Sequence, residues 1–473
     1  MRYSQSTIGG DARFMGMGGS FGALGANISC INYNPAGIAV YRKGAADITG
    51  SIRFGTVNAT HYGNQSSDYI ANIYLPAMGF VTAWEVNNPY TTESAKKHHQ
   101  DWSRRHSIGI SINKIANFNY NTSIEANVYN TSIVNDFVRV AEGKTNNQLN
   151  TFYEGQAWQT YLINEYPNST TSYWGMIDPN TRLKQSKTIQ TTGAMNEISL
   201  AYGYAIDNKL YLGASLGIPR IKFSSDSKHS EEDVHDSISW FKSMYYEEIV
   251  QTTGIGINLK LGAIYRVNPF VRVGFSVHTP TRISLSDSYI NSMSATYDKD
   301  TSTPAPIRAQ TFTFADTGKY NYTIQTPMRS TASLALLAGK YMAFNVDCEV
   351  VNYATGMLPS PSVFNAVNNE IRKKYSTTGN LRLGTEINIQ PVVIRLGYAM
   401  YGSPFGNMFA GNFVRTTFSG GIGFKRSEDV YIDFAIATTS YKEDYYLYDP
   451  SLINATQLNY KNTSVLVTLG KKF

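Results

Sequence analysis

The sequence carries little charge for its length. Asp, Glu, Lys and Arg make up 16% of 473 residues, and the net charge is +6. Its lysines and arginines are scattered rather than striped, so no basic face exists of the kind that follows a nucleic-acid backbone. Cysteine is almost absent: Cys30 and Cys348 stand alone, which excludes a disulfide framework and a zinc motif. No uninterrupted apolar run approaches the roughly 18 residues that a membrane-spanning helix requires. With a mean hydropathy of −0.27, a helical membrane protein is excluded. The chain opens MRYSQSTIGGDARF, lacking both the basic and the apolar region of a secretory signal, so a signal peptide is expected to have been removed.

What the sequence has instead is aromatic and small residues: 34 Tyr, 13% aromatics and 38 Gly, a balance that suits many strands joined by polar turns. The strands are visible as alternation. Near the C-terminus Val465, Val467, Leu469 and Phe473 share one face, while Ser464, Thr468, Gly470 and Lys472 share the other. Val430, Ile432, Phe434 and Ile436 repeat the pattern against Tyr431, Asp433, Ala435 and Ala437. Further segments alternate at 414–425, 392–399, 381–388, 342–350, 328–338, 270–279, 253–265, 208–218, 196–206, 106–115, 76–86 and 45–57. A soluble sandwich buries its apolar face and rarely aims Gly and Arg at its core. Here the polar face is both small and charged, as in a barrel whose apolar face meets lipid and whose polar face lines a lumen.

Connection lengths agree with that reading. Short turns at Asp207-Asn208, Val267-Asn268-Pro269, Gly339-Lys340, Gln390-Pro391 and Ser427-Glu428-Asp429 alternate with longer connections, expected at 122–193, 223–245, 285–320, 354–377 and 441–459. A basic, His-containing segment at 87–105 falls on the short-turn side by parity. The expected fold is all-β, a transmembrane antiparallel barrel of about fourteen strands with both termini periplasmic and short helices in the extracellular loops. The terminal Phe473 and the alternating Leu469, Val467 and Val465 resemble the C-terminal signal read by the barrel-assembly machinery. Lys471 departs from its strictest form, at little cost for a side chain that can snorkel.

Residues 9–26, GGDARFMGMGGSFGALGA, hold too many glycines for a wall strand. Gly16, Gly18 and Gly22 do not give the spacing of a dinucleotide-binding loop, and no hydrophobic strand precedes them. Close backbone packing is the expected use. The run DARFMGMGGSFGAL followed by Asn34-Pro35-Ala36-Gly37 resembles the FadL/TodX family of outer-membrane transport proteins. That resemblance implies a fourteen-stranded barrel closed by an N-terminal hatch, here residues 1–44, with Asn34, Pro35 and Ala36 as the hatch motif. It implies passive passage of hydrophobic molecules such as long-chain fatty acids, without cofactor or energy source. It also implies a lateral opening at a kink in the third strand, where Gly109 is the candidate bend. The superfamily includes scaffold and secretion barrels, so a binding or scaffold role in an envelope complex stands as the alternative. Expected partners are hydrophobic small molecules or lipids, outer-membrane lipid with lipopolysaccharide, the assembly machinery, and, for the alternative, envelope proteins.

Several side chains are candidates for a site. Phe152, Tyr153, Trp158, Tyr161, Tyr173 and Trp174 make the first long loop denser in aromatics than a solvated loop needs. They form either a capture groove or a small loop core. Within that loop, residues 131–140 have helical spacing, with Ile133, Phe137 and Val140 on one face. Alternation turns Arg53, Lys260, Arg272, Arg329, Arg382, Arg395 and Arg415 inward, along with Asp347, Glu349, Glu386 and Asp433. Arg382, Arg395 and Arg415 either bind a ligand carboxylate or anchor the plug, since guanidinium–carboxylate pairing is strong where water is excluded. His229 and His235 stand among Glu231, Glu232, Asp233 and Asp236, an arrangement read as a solvated acidic loop with no metal assigned. His278 faces inward without Ser and carboxylate partners, so no catalysis is expected.

Overall fold

The computed structural model describes residues 2–5, 8–86, 104–178, 181–235, 237–238, 240–297, 310–313, 318–406, 413–425 and 429–473. The wall begins with β1 (Ala45–His61), β2 (Asn64–Val86), and β3 (Arg104–Asn117) continued by β4 (Tyr120–Tyr129). A long connection carrying the small hairpin of β5 (Ile163–Glu165) and β6 (Tyr173–Gly175) leads to β7 (Arg182–Ile206), β8 (Leu210–Glu232) and β9 (Phe241–Arg266). The next two wall positions are shared between segments: β10 (Val271–His278) with β11 (Arg282–Tyr297), then β12 (Gln310–Thr313), β13 (Gly318–Gln325) and β14 (Arg329–Ala338). The circuit finishes with β15 (Met342–Asn352), β16 (Thr377–Ile389), β17 (Val392–Tyr401), β18 (Arg415–Lys425), β19 (Val430–Tyr445) and β20 (Thr456–Lys472). Antiparallel pairing of β1 with β20, from Ala45 opposite Lys472 to Thr60 opposite Gln457, closes the ring. Among the described residues this is a closed barrel with fourteen wall positions.

The alternation explains the wall. Ile48, Ile52, Phe54, Ile73, Leu75, Ile108, Ile110, Ile257, Leu259, Phe275, Leu396, Phe418 and Leu469 are exposed on the outside. On the same strands Arg53, Ser107, Ser111, Asn258, Lys260, Arg395, Thr417 and Thr468 are buried within. Such an apolar outer belt costs free energy in water and is stable against hydrocarbon. Cys348 belongs to the outer face, Cys30 is buried in the N-terminal segment, and both are free thiols.

The strands run further than the sequence pattern suggests. The expected connections at 223–245 and 285–320 are mostly strand, as are the ends of those at 122–193 and 441–459: β4 reaches Tyr129, β7 starts at Arg182, β8 reaches Glu232, β11 reaches Tyr297 and β19 reaches Tyr445. The reason lies in a change of phase. Above the lipid belt the outside meets water and the inside meets packed loops, so the apolar residues turn inward. On β11 the inward residues Ile283, Leu285, Met293, Ala295 and Tyr297 are buried, whereas Ser284, Ser286, Ser292 and Ser294 face outward. A strand that swaps its apolar face halfway along does not read as one strand. Residues 87–103, most of the basic segment, lie outside the described residues, as does Asp236.

Candidate functional site

Residues 9–41 are buried almost throughout and touch inward-facing side chains from most of the circumference. Asp11 starts the short helix Ala12–Gly16 by accepting from Phe14 N at 2.9 Å, and its other oxygen accepts from the Ser29 hydroxyl at 2.6 Å. Arg13 donates to both oxygens of Glu386, at 2.8 and 2.9 Å. Arg395 reaches the same carboxylate at 2.7 Å and Asp433 at 2.6 Å. Asp347 accepts the backbone N–H groups of Phe21 and Gly22, each at 3.1 Å. His278 meets Tyr33 O at 2.7 Å, and Arg272 donates to Leu24 O at 2.7 Å. Inward glycines make room for this backbone: a Cβ on Gly397 would collide with Met17 and Gly18, and one on Gly262 with Asn34. The small residues on the polar face are therefore close-approach positions.

Asn34, Pro35 and Ala36 act locally. Asn34 caps the 3-10 helix Pro35–Val40 by accepting from Ala36 N at 3.2 Å, with Pro35 at the first helical position where its missing N–H costs nothing. Its amide nitrogen donates to Gly22 O at 2.6 Å, tying the glycine-rich run to the following turn.

Beyond this segment, toward the long loops, the lumen opens into a cavity of about 490 Å³. Ile8 and Met15 border it on one side, and Arg53, Arg415 and a tyrosine group border it on the others. Tyr441 and Tyr460 stack at 4.5 Å, and Tyr120 meets Tyr460 edge-on at 5.3 Å. Arg53 lies 4.4 Å over the Tyr120 ring and bonds Asn117 and Asn462 at 2.9 and 2.6 Å. Arg415 lies 5.1 Å from Tyr441 and donates to Gln5 at 2.9 Å. Both guanidiniums thus hold neutral partners, with Glu443 the carboxylate among the cavity residues. Arg382 and Arg395 are placed differently: Arg382 lies 3.6 Å from Asp347 and 3.4 Å from Glu349, and Arg395 is committed to Glu386 and Asp433. Of the three arginines singled out in the sequence, Arg415 alone lines this cavity. Arg53, named there only as inward-facing, joins it. Register would have separated the two sets, because Arg382 sits opposite Asp347 and Arg395 opposite Glu386, whereas Arg53 sits opposite Asn72 and Ser464.

The wall is interrupted beside the cavity. β2 pairs with β3 only over Ala77–Val86, and β4 pairs with β7. Residues 64–74 of β2 therefore have ladder partners on β1 alone among the described residues. Cα atoms of β4 come within 8 Å of β1 as well as of β2, without a backbone ladder to either; the approach to β1 is closer than the roughly 9.6 Å that separates strands two places apart in a sheet. The outer half of the third strand has left the wall for the luminal side, where Ile124, Ala126 and Val128 pack with Val57 and Ala59 of β1. The departure follows an irregular register at Lys114/Ala116 and the gap at Phe118-Asn119. Gly109 is not the bend. It is in regular register with Val81 and Ala201, and its missing side chain leaves space for Ile31 of the N-terminal segment.

The long loop folds over the outer end of the lumen. Its helix Ile133–Ala141 buries Ile133, Val134, Phe137 and Ala141, so Ala141 rather than Val140 completes the buried face. Tyr153 packs edge-on to Phe137 at 4.7 Å and donates to Asp136 at 2.6 Å. Burial and that carboxylate push its phenol well above the usual range. Tyr173 is buried and donates to Lys144 O, Phe152 meets Tyr289 edge-on at 4.7 Å, and Trp158 packs against the same apolar cluster. Tyr161 and Trp174 remain 50% and 38% exposed. These six aromatics therefore divide between a loop core and an outward surface. His229 and Glu231 are not solvated: both are buried, and Glu231 accepts from Ile133 N at 2.9 Å and Gln185 at 2.8 Å. A carboxylate at a helix N-terminus completes orphan N–H groups and suits the helix dipole. The pair latches the loop to β7 and β8.

No family model matches the chain, and no curated protein does. Solved structures do. A Pseudomonas aeruginosa FadL homologue is 12% identical with a TM-score of 0.57, over 99% of each chain. The Pseudomonas putida toluene transporter TodX is 11% identical with a TM-score of 0.54, over 98% of this chain and 99% of that one. The CymD monoaromatic hydrocarbon channel is 13% identical with a TM-score of 0.52, over 98% of each. The likeness is one of fold rather than of sequence: this chain has the FadL-family fold.

Proposed function

We propose that the protein is an outer-membrane conduit through which hydrophobic molecules pass without an energy source. The observation that carries this reading is the juxtaposition of the luminal cavity with the unpaired edge of β2. Tyr74, on the free-edged part of β2, and Phe118, at the gap in the third strand, both line the cavity. A molecule arrives past the aromatic outer loops and rests in the cavity, and residues 1–44 act as the hatch that denies it a straight path. It leaves sideways between β2 and β4 into the lipid. The lateral path suits an apolar solute, which never needs to re-enter water.

The preferred cargo is a long-chain fatty acid, its carboxylate meeting Arg53 and Arg415 and its chain lying along the tyrosines. Uptake of a radiolabelled long-chain fatty acid by cells making the protein tests this. The Arg53→Ala/Arg415→Ala variant is expected to lose about tenfold or more in affinity, at about 1.5–3 kcal/mol for a hydrogen bond to a charged group. Toluene passage is expected to be unchanged by the same variant. Stoichiometric co-purification of a protein partner with no uptake of either solute would favour a scaffold role.

A further inference from the structure

Outside the barrel, on the face formed by β8, β9, β11 and β13, lies an open groove of about 680 Å³. It arises where Pro219 interrupts the β8–β9 ladder, which passes from Gly217 opposite Asn258 directly to Arg220 opposite Ile255. Small hydroxyl side chains floor it: Thr253 on β9 and Ser284 and Ser286 on β11. Arg220 and Lys222 rise from its β8 side. Arg282, one outward position below Ser284, extends the positive charge. Their sequence neighbours Ile221, Ile283 and Leu285 are buried against the inner face, so alternation aims all three cations outward. Among the described residues no carboxylate lines the groove.

Its height in the wall matters. Immediately toward the short-turn end the same strands carry Leu216, Ile257 and Leu259, all exposed members of the apolar belt. Toward the long loops the outward residues are polar, Ser224 on β8 and Gln251 on β9. The groove therefore straddles the boundary between hydrocarbon and headgroups on the long-loop side. Three cations held outward at that level, with hydroxyl donors between them and an apolar surface below, fit an anionic headgroup whose acyl chains run down the belt.

We propose that this groove is a binding site for a phosphorylated glycolipid of the outer leaflet, with its phosphates on Arg220, Lys222 and Arg282 and its acyl chains along Ile255, Ile257 and Leu259. The site is independent of the luminal cavity and of any transported molecule. It fixes the depth and rotation of the β8–β11 wall relative to the lipid.

Native mass spectrometry of the full chain tests this, with the protein released from detergent containing equal amounts of diphosphorylated lipid A and its dephosphorylated counterpart. The wild type is expected to retain the phosphorylated lipid preferentially. Arg220→Gln/Lys222→Gln is expected to reduce that retention about thirtyfold, from roughly fivefold per interfacial cation. Lys461→Gln, an outward lysine on β20, should leave it unchanged. Heat-modified gel mobility confirms that each variant is a folded barrel. Equal retention by the double variant and wild type, an equal loss in Lys461→Gln, or displacement by millimolar inorganic phosphate would each overturn the proposal.

Discussion

Glu386 offers the sharpest test of how the N-terminal segment is held. Its carboxylate lies between Arg13 of the segment and Arg395 of the wall, with side-chain exposures of 27% for Arg13 and 15% for Glu386. Breaking a buried ion pair by removing one partner costs about 3–5 kcal/mol, because the other charge is left uncompensated. Partial exposure of Arg13 to luminal water brings the cost below that range, to about 2–3 kcal/mol. In Glu386→Ala that loss falls mainly on docking of the segment, since Arg395 keeps Asp433 at 2.6 Å. Local opening of residues 11–22 should then become about 30- to 150-fold more frequent. Amide hydrogen exchange in detergent reads this directly: protection of those amides falls by that factor while protection of the wall ladders is kept. Arg13→Lys keeps the charge but loses the two-pronged geometry, and should cost about 1 kcal/mol, roughly a fivefold loss. Unchanged protection of residues 11–22 in Glu386→Ala would mean that the Arg13–Glu386 pair does not hold the segment. So would a uniform loss across the barrel.

Other consequences follow from the same packing. Gly397→Leu should prevent docking of Gly18, whose φ of +63° already requires glycine, and should leave a barrel with the conductance of an open pore in planar bilayers. Phe137→Ala removes a fully buried ring from the loop core. A loss of about 3–5 kcal/mol should free the loop, seen as protease cleavage within 130–181 while the wall stays intact. Gly109→Ala should have little effect on uptake, because the nearest atom to the new Cβ is the terminal methyl of Ile31 at 2.9 Å, which can shift aside.

How much of this was legible in the sequence depends on which solvent each face meets. Where a strand crosses lipid, its apolar face and its small, charged face are distinct. Val465, Val467 and Leu469 could be placed outward and Arg395 and Asp433 inward without structural information. Above the belt the phase reverses, and segments such as 282–297 looked like loop although they form long strands. The glycines of residues 9–26 announced close packing, but not that Gly262 and Gly397 in the wall were their counterparts. For the cavity, alternation alone gave too many inward arginines to choose between. Cross-strand register supplies the missing criterion, since a carboxylate directly opposite Arg382 or Arg395 uses up that charge. In the third strand, Gly109 is the residue whose type suggests a break. The break occurs instead at Phe118-Asn119, where Asn117 accepts from Arg53 and from the N–H of Asn119, and side-chain bonds of that kind leave no periodic trace.

If cargo leaves through the wall between β2 and β4, holding those strands together must stop its passage. The Ser66 hydroxyl on β2 bonds the backbone carbonyl of Ser123 on β4, so the two strands approach each other here and a crosslink between these positions would span the exit. Ser66→Cys/Ser123→Cys, made with Cys348→Ser to remove the exposed thiol, should form a crosslink under oxidation. Uptake of a labelled hydrophobic solute is then expected to fall to the level of cells lacking the protein, and to return on reduction. Undiminished uptake by the fully crosslinked barrel would contradict the account.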